Sequence, residues 1–276
     1  MGIVAISETA GSLGTEIGRT VAATLGYEFA DREIISKVAE RFGEGVMDLT
    51  HATEERPTLW ERFTETQRRY MAYVEAMVLE MAARDNVVLV GRASTVILKR
   101  IPQTLRVRIN APESIRAQRI QQQHGFTPEA ALDYVRQADR ERAARVRFFY
   151  HVDWDDPLLY DLVINTEWLS VDGADRLIRE MLEEEHFKIS ATAWKTTRDL
   201  SLAAQAKAAL LANPMTRPRQ IFVSCTDGHI VLSGSVHGEE ERRMAKDAAA
   251  SIPGVTEVLN NIIALPRPGL SRFGGA

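Results

Sequence analysis

The sequence predicts an α/β protein: a parallel sheet between helical layers over residues 1–187, followed by a smaller α/β module over residues 199–267. Three observations predict it. Asn86-Val87-Val88-Leu89-Val90-Gly91 is an unbroken apolar run, the mark of a strand covered on both faces. Strand candidates at 105–111 and 161–166 alternate with helical patterns at 112–123, 128–149 and 171–187, which is how parallel sheets are wound. Further on, Asp227-Gly228 lies between two apolar strand candidates, a strong hairpin signal.

In chain order, Ile3-Val4-Ala5-Ile6 reads as the first strand, and Ile17, Val21 and Leu25 mark the helix after it. Between them, Ser7 to Gly14 is a small-residue turn. Tyr27 to Ala30 is expected to be extended, with a new helix from about Asp31. Residues 59–84 have a long helical pattern, in which Phe63, Tyr70, Val74, Met77, Val78 and Met81 are core-facing. Pro112 and Pro128 each stand where a first helical residue belongs, the second behind the N-cap Thr127. Residues 188–198 are charged and polar without a strand pattern and are expected to link the two parts. A helix at 199–211, strands at 221–225 and 230–236, a helix at 239–251 and a last strand at 255–265 complete the second part. Residues 268–276, rich in Gly and Pro, are expected to be a loose tail.

Composition narrows the function. At 276 residues, 45% apolar and 26% charged, the chain has material for two cores. A net charge of −4 argues against a general nucleic-acid binder. The single Cys225 excludes an intrachain disulfide or a multi-cysteine zinc site, and its apolar segment reads as burial rather than reactivity. The N-terminal apolar run is too short for a secretory signal and no stretch reaches membrane-spanning length, so a cytoplasmic location is expected.

Three features carry candidate chemistry. A strand, a glycine-bearing turn and a helix start together aim free backbone N–H groups and a positive dipole end at an anion. The turn Gly11-Ser12-Leu13-Gly14-Thr15 is thus a candidate phosphate cradle, although it lacks the lysine of G-x-x-x-x-G-K-[ST]. Aligned on Gly11-Ser12, it has Gly14 in the lysine's place and Glu16 in the hydroxyl's. A ligand-free tight turn is the plain alternative, and the spacing is not that of a dinucleotide fingerprint. Arg92 follows the buried strand at its carboxyl end, where ligands gather in open α/β sheets. Arg116 and Arg119 lie on one helix, and Arg136, Arg140, Arg142, Arg145 and Arg147 on the next. Arg136, Arg140 and Arg147 share a charged face, whereas Arg142 falls in the apolar arc of Val135, Ala138, Val146 and Phe149 and therefore requires a partner.

Taken in order, these blocks resemble the cytidylate kinase-like family of P-loop proteins. The resemblance is carried by Ile6-Ser7, Gly11-Ser12-x-Gly14 and Ile17-Gly18, by Asp31-Arg32-Glu33-Ile34, and by Val90-Gly91-Arg92. Arg116-Ala117-Gln118-Arg119, Asp139 to Ala143, Asp153 to Pro157 and Tyr160 to Thr166 extend it to about Phe187. It implies a nucleoside monophosphate kinase fold in which ATP, entering with Mg²⁺, is held by Gly11, Ser12, Leu13, Gly14 and Thr15. Asp31, Arg116 and Arg119 would join the nucleotide site, Arg92 would grip the acceptor phosphate, and Arg140 and Arg142 would close as a lid. Many relatives lack the lysine as this chain does, but they commonly show Gly at position 13 and Arg-Gln where this chain has Glu8-Thr9.

Residues 199–265 resemble a BON domain through Asp227-Gly228, Val231 to Val236 and Pro253-Gly254-Val255, which implies a small ligand or a phospholipid surface. The expected partners are therefore ATP and a CMP-like monophosphate, with no nucleic acid and with homo-oligomerisation left open. A kinase and a nucleotide-sensing pseudokinase that signals through the second module are both consistent with these residues.

Overall fold

The computed structural model describes residues 2–31, 33–45, 65–188, 190–217 and 219–266. The contacts divide the chain into two compact units, meeting in sequence at Thr197 and Arg198. Residues 59–64 of the long helical pattern, Phe63 among them, and the expected tail lie outside the described residues.

The first unit opens with β1 (Ile3–Glu8) and α1 (Gly14–Leu25), then β2 (Glu28–Ala30) and α2 (Glu33–Phe42). After them come α3 (Glu65–Ala83), β3 (Val87–Val90), the single turn α4 (Ser94–Ile97) and β4 (Thr104–Asn110). A helical hairpin, α5 (Glu113–His124) and α6 (Pro128–Tyr150), precedes β5 (Leu162–Asn165) and α7 (Val171–Leu182). The five strands lie in the order β2-β3-β1-β4-β5, all neighbours parallel. Ile3 pairs with Val87 on one side and Thr104 on the other, so the chain's first strand is the middle of the sheet.

Alternation along the strands sorts the core. Val4, Ile6, Val88, Val90, Leu105, Val107 and Ile109 face Ile17 and Val21 of α1 and Ala174 and Ile178 of α7. Elsewhere α3 packs on β3 and α2 on α3, with Tyr73 and Met81 buried. Thr127 caps α6 through the amide of Ala130 at 3.2 Å, with Pro128 in the first turn. Pro112, expected as a first helical residue, is instead the N-cap of α5, with extended ψ of 140°.

The second unit follows the same alternation on a smaller scale. Residues 191–197, expected to be part of a linker, are helical and continue into α8 (Ala191–Ala212). The sheet β6 (Ile221–Thr226), β7 (His229–His237), β8 (Glu257–Leu265) has β6 antiparallel and β8 parallel to β7, with α9 (Glu239–Ala250) making the crossover. Asp227 and Gly228 both have positive φ (57° and 78°), as a two-residue hairpin matching the strand twist requires. Leu202, Ala206 and Leu210 of α8 and Ala245 and Ala249 of α9 close the core over Ile230, Leu232, Val236 and Ile262.

Candidate active site

β1 ends at Glu8 and α1 starts at Gly14, so the intervening turn sits at the carboxyl edge of the central strand. Gly11 has φ of +77°, and a Cβ there would lie 2.7 Å from the Arg116 carbonyl, so the bend and the close approach both demand glycine. Leu13, by contrast, takes the left-handed conformation (φ 68°) with a side chain, and packs against the core beneath α1. The Ser12 hydroxyl is buried and donates to the Thr9 carbonyl at 2.8 Å.

Thr15, not Glu16, supplies the hydroxyl in this turn. Its Oγ1 lies 3.1 Å from Glu8 Oε1 and its backbone N–H donates to Glu8 Oε2 at 2.9 Å. The reading that gave this place to Glu16 misses by one residue, since the residue after the lysine position Gly14 is Thr15. Burial pushes the Glu8 carboxyl above the usual carboxylate range, the charge of Arg142 and the two Thr15 bonds pull it back, and the nearby Asp31 charge adds to the rise.

A cavity of ≈ 690 Å³ opens beside the turn. Glu8, Thr15 and Asp31 line one side, Arg92 another, and Arg142 and Arg145 enter from α6, with Trp154 and Tyr150 among the apolar walls. Arg92 is delivered by an unusual turn in which Gly91, Arg92 and Ala93 all have positive φ (71°, 52° and 55°), closed by the Ser94 N–H on the Gly91 carbonyl at 2.9 Å. Left-handed backbone at two residues with side chains stores strain, roughly 1–3 kcal/mol each, and such strain gathers at functional sites. Arg142 finds the partner its apolar position demands: its Nη1 donates to the Glu8 carbonyl at 2.8 Å.

The other arginines named from sequence are placed differently. Arg116 is buried and donates to the carbonyls of Ala111 (2.8 Å) and Ala10 (3.1 Å) and to Asp139 (2.7 Å). Arg119 donates to the Thr166 carbonyl at 2.7 Å and to that of Gly11 at 3.3 Å. Both guanidiniums brace the turn from α5. Arg140 is exposed, donates to Gln137 at 2.9 Å, and is not among the residues lining the cavity.

Sequence reasoning passed over a buried cluster under the cavity. Arg108 of β4 donates to the Ser7 hydroxyl at 3.0 Å and to Asp155 at 3.0 Å, and stacks 3.5 Å over the Trp154 ring. Trp154 Nε1 donates to the same Ser7 oxygen at 2.9 Å, and the Tyr160 hydroxyl donates to the Trp154 carbonyl at 2.7 Å. The available signal was a pair of arginines, Arg106 and Arg108, inside a strand of apolar neighbours, where any that is buried must be partnered. Cys225, expected to be buried, is half-buried; burial and the Asp199 carboxylate 3.5 Å away push its thiol up to about 11.

Among the described residues no group of three His, Cys, Asp or Glu is placed to hold a metal ion, and no helix is long and apolar enough to cross a membrane.

A central parallel sheet, a glycine-bearing turn at its edge and an arginine-lined cavity beside it form a kinase-like arrangement. The model of the cytidylate kinase-like family matches residues 3–168, more than half of the chain, and the chain belongs to that family. The BON domain matches residues 198–266. Among curated relatives, the cytidylate kinase of Pyrobaculum calidifontis is 28% identical over 178 residues, covering 64% of this chain and 90% of its own. The cytidylate kinase of Natronomonas pharaonis is 28% identical over 177 residues, covering 64% and 86%. An uncharacterized protein of Eubacterium ventriosum, known from a crystal structure, shares the fold at a TM-score of 0.54 and 19% identity, covering 67% of this chain and all of its own.

Proposed function

We propose that the first unit transfers the terminal phosphoryl group of ATP to a CMP-like nucleoside monophosphate bound in the cavity. The observation that carries this reading is the convergence of Arg92, Arg142 and Arg145 on a cavity that abuts the helix-terminal turn. Phosphoryl transfer asks for positioning and charge neutralisation rather than covalent chemistry, and arginines supply both through forked hydrogen bonds. Arg92 holds the acceptor phosphate, Asp31 orients the acceptor, and Arg142, anchored on the turn's own backbone, supplies the positive charge that the absent lysine does not. Gly11 to Thr15 face the donor, with Arg116 and Arg119 keeping the turn in shape and the exposed Arg140 bonded to Gln137 on the closing helix.

An Mg²⁺ ion arriving with ATP would neutralise phosphate charge and would need few oxygens from protein. The Thr15 hydroxyl is the protein oxygen suited to it. The cytoplasm fits this use of ATP. For the second unit, a small ligand or phospholipid surface remains the proposed partner, acting through the BON-like sheet, and self-association is part of the same proposal only as an open property.

The test is a coupled assay of the full chain with ATP, Mg²⁺ and a panel of monophosphates. The expected result is turnover with CMP that falls by at least 100-fold in Arg92→Ala, since a lost charge-assisted bond to phosphate is worth roughly 1.5–3 kcal/mol per bond and the fork makes two. Nucleotide-raised melting with no turnover would favour the sensing reading, which the Glu8–Thr15 contact supports.

A further inference from the structure

We propose that Glu8 is a resident hydrogen-bond acceptor in the turn's amide nest and sets how tightly this chain takes the phosphates of a donor. The proposal rests on the donor role assigned to the turn above. Counted back from the hydroxyl Thr15, the G-x-x-x-x-G-K-[ST] spacing puts Gly14 at the lysine, Leu13 at the second glycine and Glu8 at the first. A pattern that offers a bare backbone and a cation thus becomes one that offers a carboxylate and no cation.

The two changes depend on each other. A Cβ at position 14 would lie 2.6 Å from both Cβ and Oε2 of Glu8, so the carboxylate has room only because residue 14 is glycine. In that room it takes the Thr15 N–H and hydroxyl, the first-turn donors that a phosphate oxygen would otherwise accept from. A second carboxylate, Asp139, takes the Ala10 N–H at 3.0 Å on the other arm of the turn. Arg142 does not relieve the competition by bonding the carboxylate, since its hydrogen bond goes to the Glu8 main-chain oxygen. A polyphosphate entering the nest must therefore displace Glu8 from Thr15 and then lie beside its carboxyl group.

The probe is inorganic tripolyphosphate without Mg²⁺, titrated by calorimetry into the full chain, Glu8→Ala and Glu8→Gln, each first checked by thermal melting. The proposal predicts binding at least tenfold tighter in Glu8→Ala than in the unaltered chain. Glu8→Gln, which drops the charge and keeps the shape, should lie between them. Hydrogen exchange of the Thr15 amide should also speed up in Glu8→Ala. Equal or weaker tripolyphosphate binding in both variants would overturn the proposal. The two readings fail separately: a chain that transfers phosphoryl groups but gains no tripolyphosphate affinity loses only the Glu8 role. Conversely, a chain that gains the affinity without any transfer loses the kinase reading, and Glu8 keeps its place in the nest.

Discussion

Single residues decide what this edge of the sheet can hold. Glu8 and Thr15 close on each other only because Gly14 has no side chain, so a contact of two residues is fixed by a third. Arg92 reaches the cavity because Gly91, Arg92 and Ala93 turn left-handed in succession. At Ala93 glycine would adopt that conformation without steric cost. Ala93→Gly is therefore expected to raise unfolding stability by about 0.5–1 kcal/mol in denaturant titration. A loss of stability would mean that the Ala93 methyl makes contacts worth more than the strain. The place of Arg92 at the sheet edge was legible, but its left-handed turn was not, and Glu8 stood out only as a departure from relatives, because the sequence does not say which amide a carboxylate will meet.

At the scale of elements, the sheet was readable and the helical arginines only partly so. The apolar run at 87–90 and the alternation of strands with helices located every strand of the first unit, since burial on both faces leaves an unmistakable composition. The strand order was not written there, because it depends on which crossover each helix makes. Helix α6 shows both sides of the matter. Its 3.6-residue period singled out Arg142 as the arginine on the apolar side, and that side chain does bond the Glu8 carbonyl, whereas Arg140 is exposed and bonds Gln137. Periodicity could not tell that Arg116 and Arg119 would brace carbonyls, since a buried guanidinium and a ligand-facing one have the same spacing. From this placement Arg142→Ala is expected to lower kcat by 10²-fold or more while Arg147→Ala, on the exposed face, changes it less than threefold. Equal effects in steady-state kinetics would remove Arg142 from the site.

The whole molecule is two units with separate cores, so each should respond to its own charges. In the second unit Arg219 grips Glu241 through two bonds of 2.7 and 2.8 Å, and the His237 N–H adds a third at 2.8 Å. Arg219 above all, helped by His237, holds the Glu241 carboxyl down to about 2. A folded value below the ordinary 4.5 means the pair's contribution is complete above pH 4.5 and is lost as pH falls toward 2. Glu241→Gln should thus lower the stability of this unit at neutral pH by about 1–3 kcal/mol and flatten its loss over that acid window, as followed by denaturant titration at several pH values. The hairpin and crossover of this unit were legible from Asp227-Gly228 and the helix that follows, while the ion pair, between residues 22 positions apart, was not. In the other unit, the proposed occupant of the arginine-lined cavity is a nucleoside monophosphate. Calorimetric titration of CMP into the full chain and into Arg92→Ala tests it most directly. Saturable one-to-one binding that weakens at least tenfold in the variant is the predicted result, and binding that is absent from the unaltered chain or indifferent to Arg92 would contradict it.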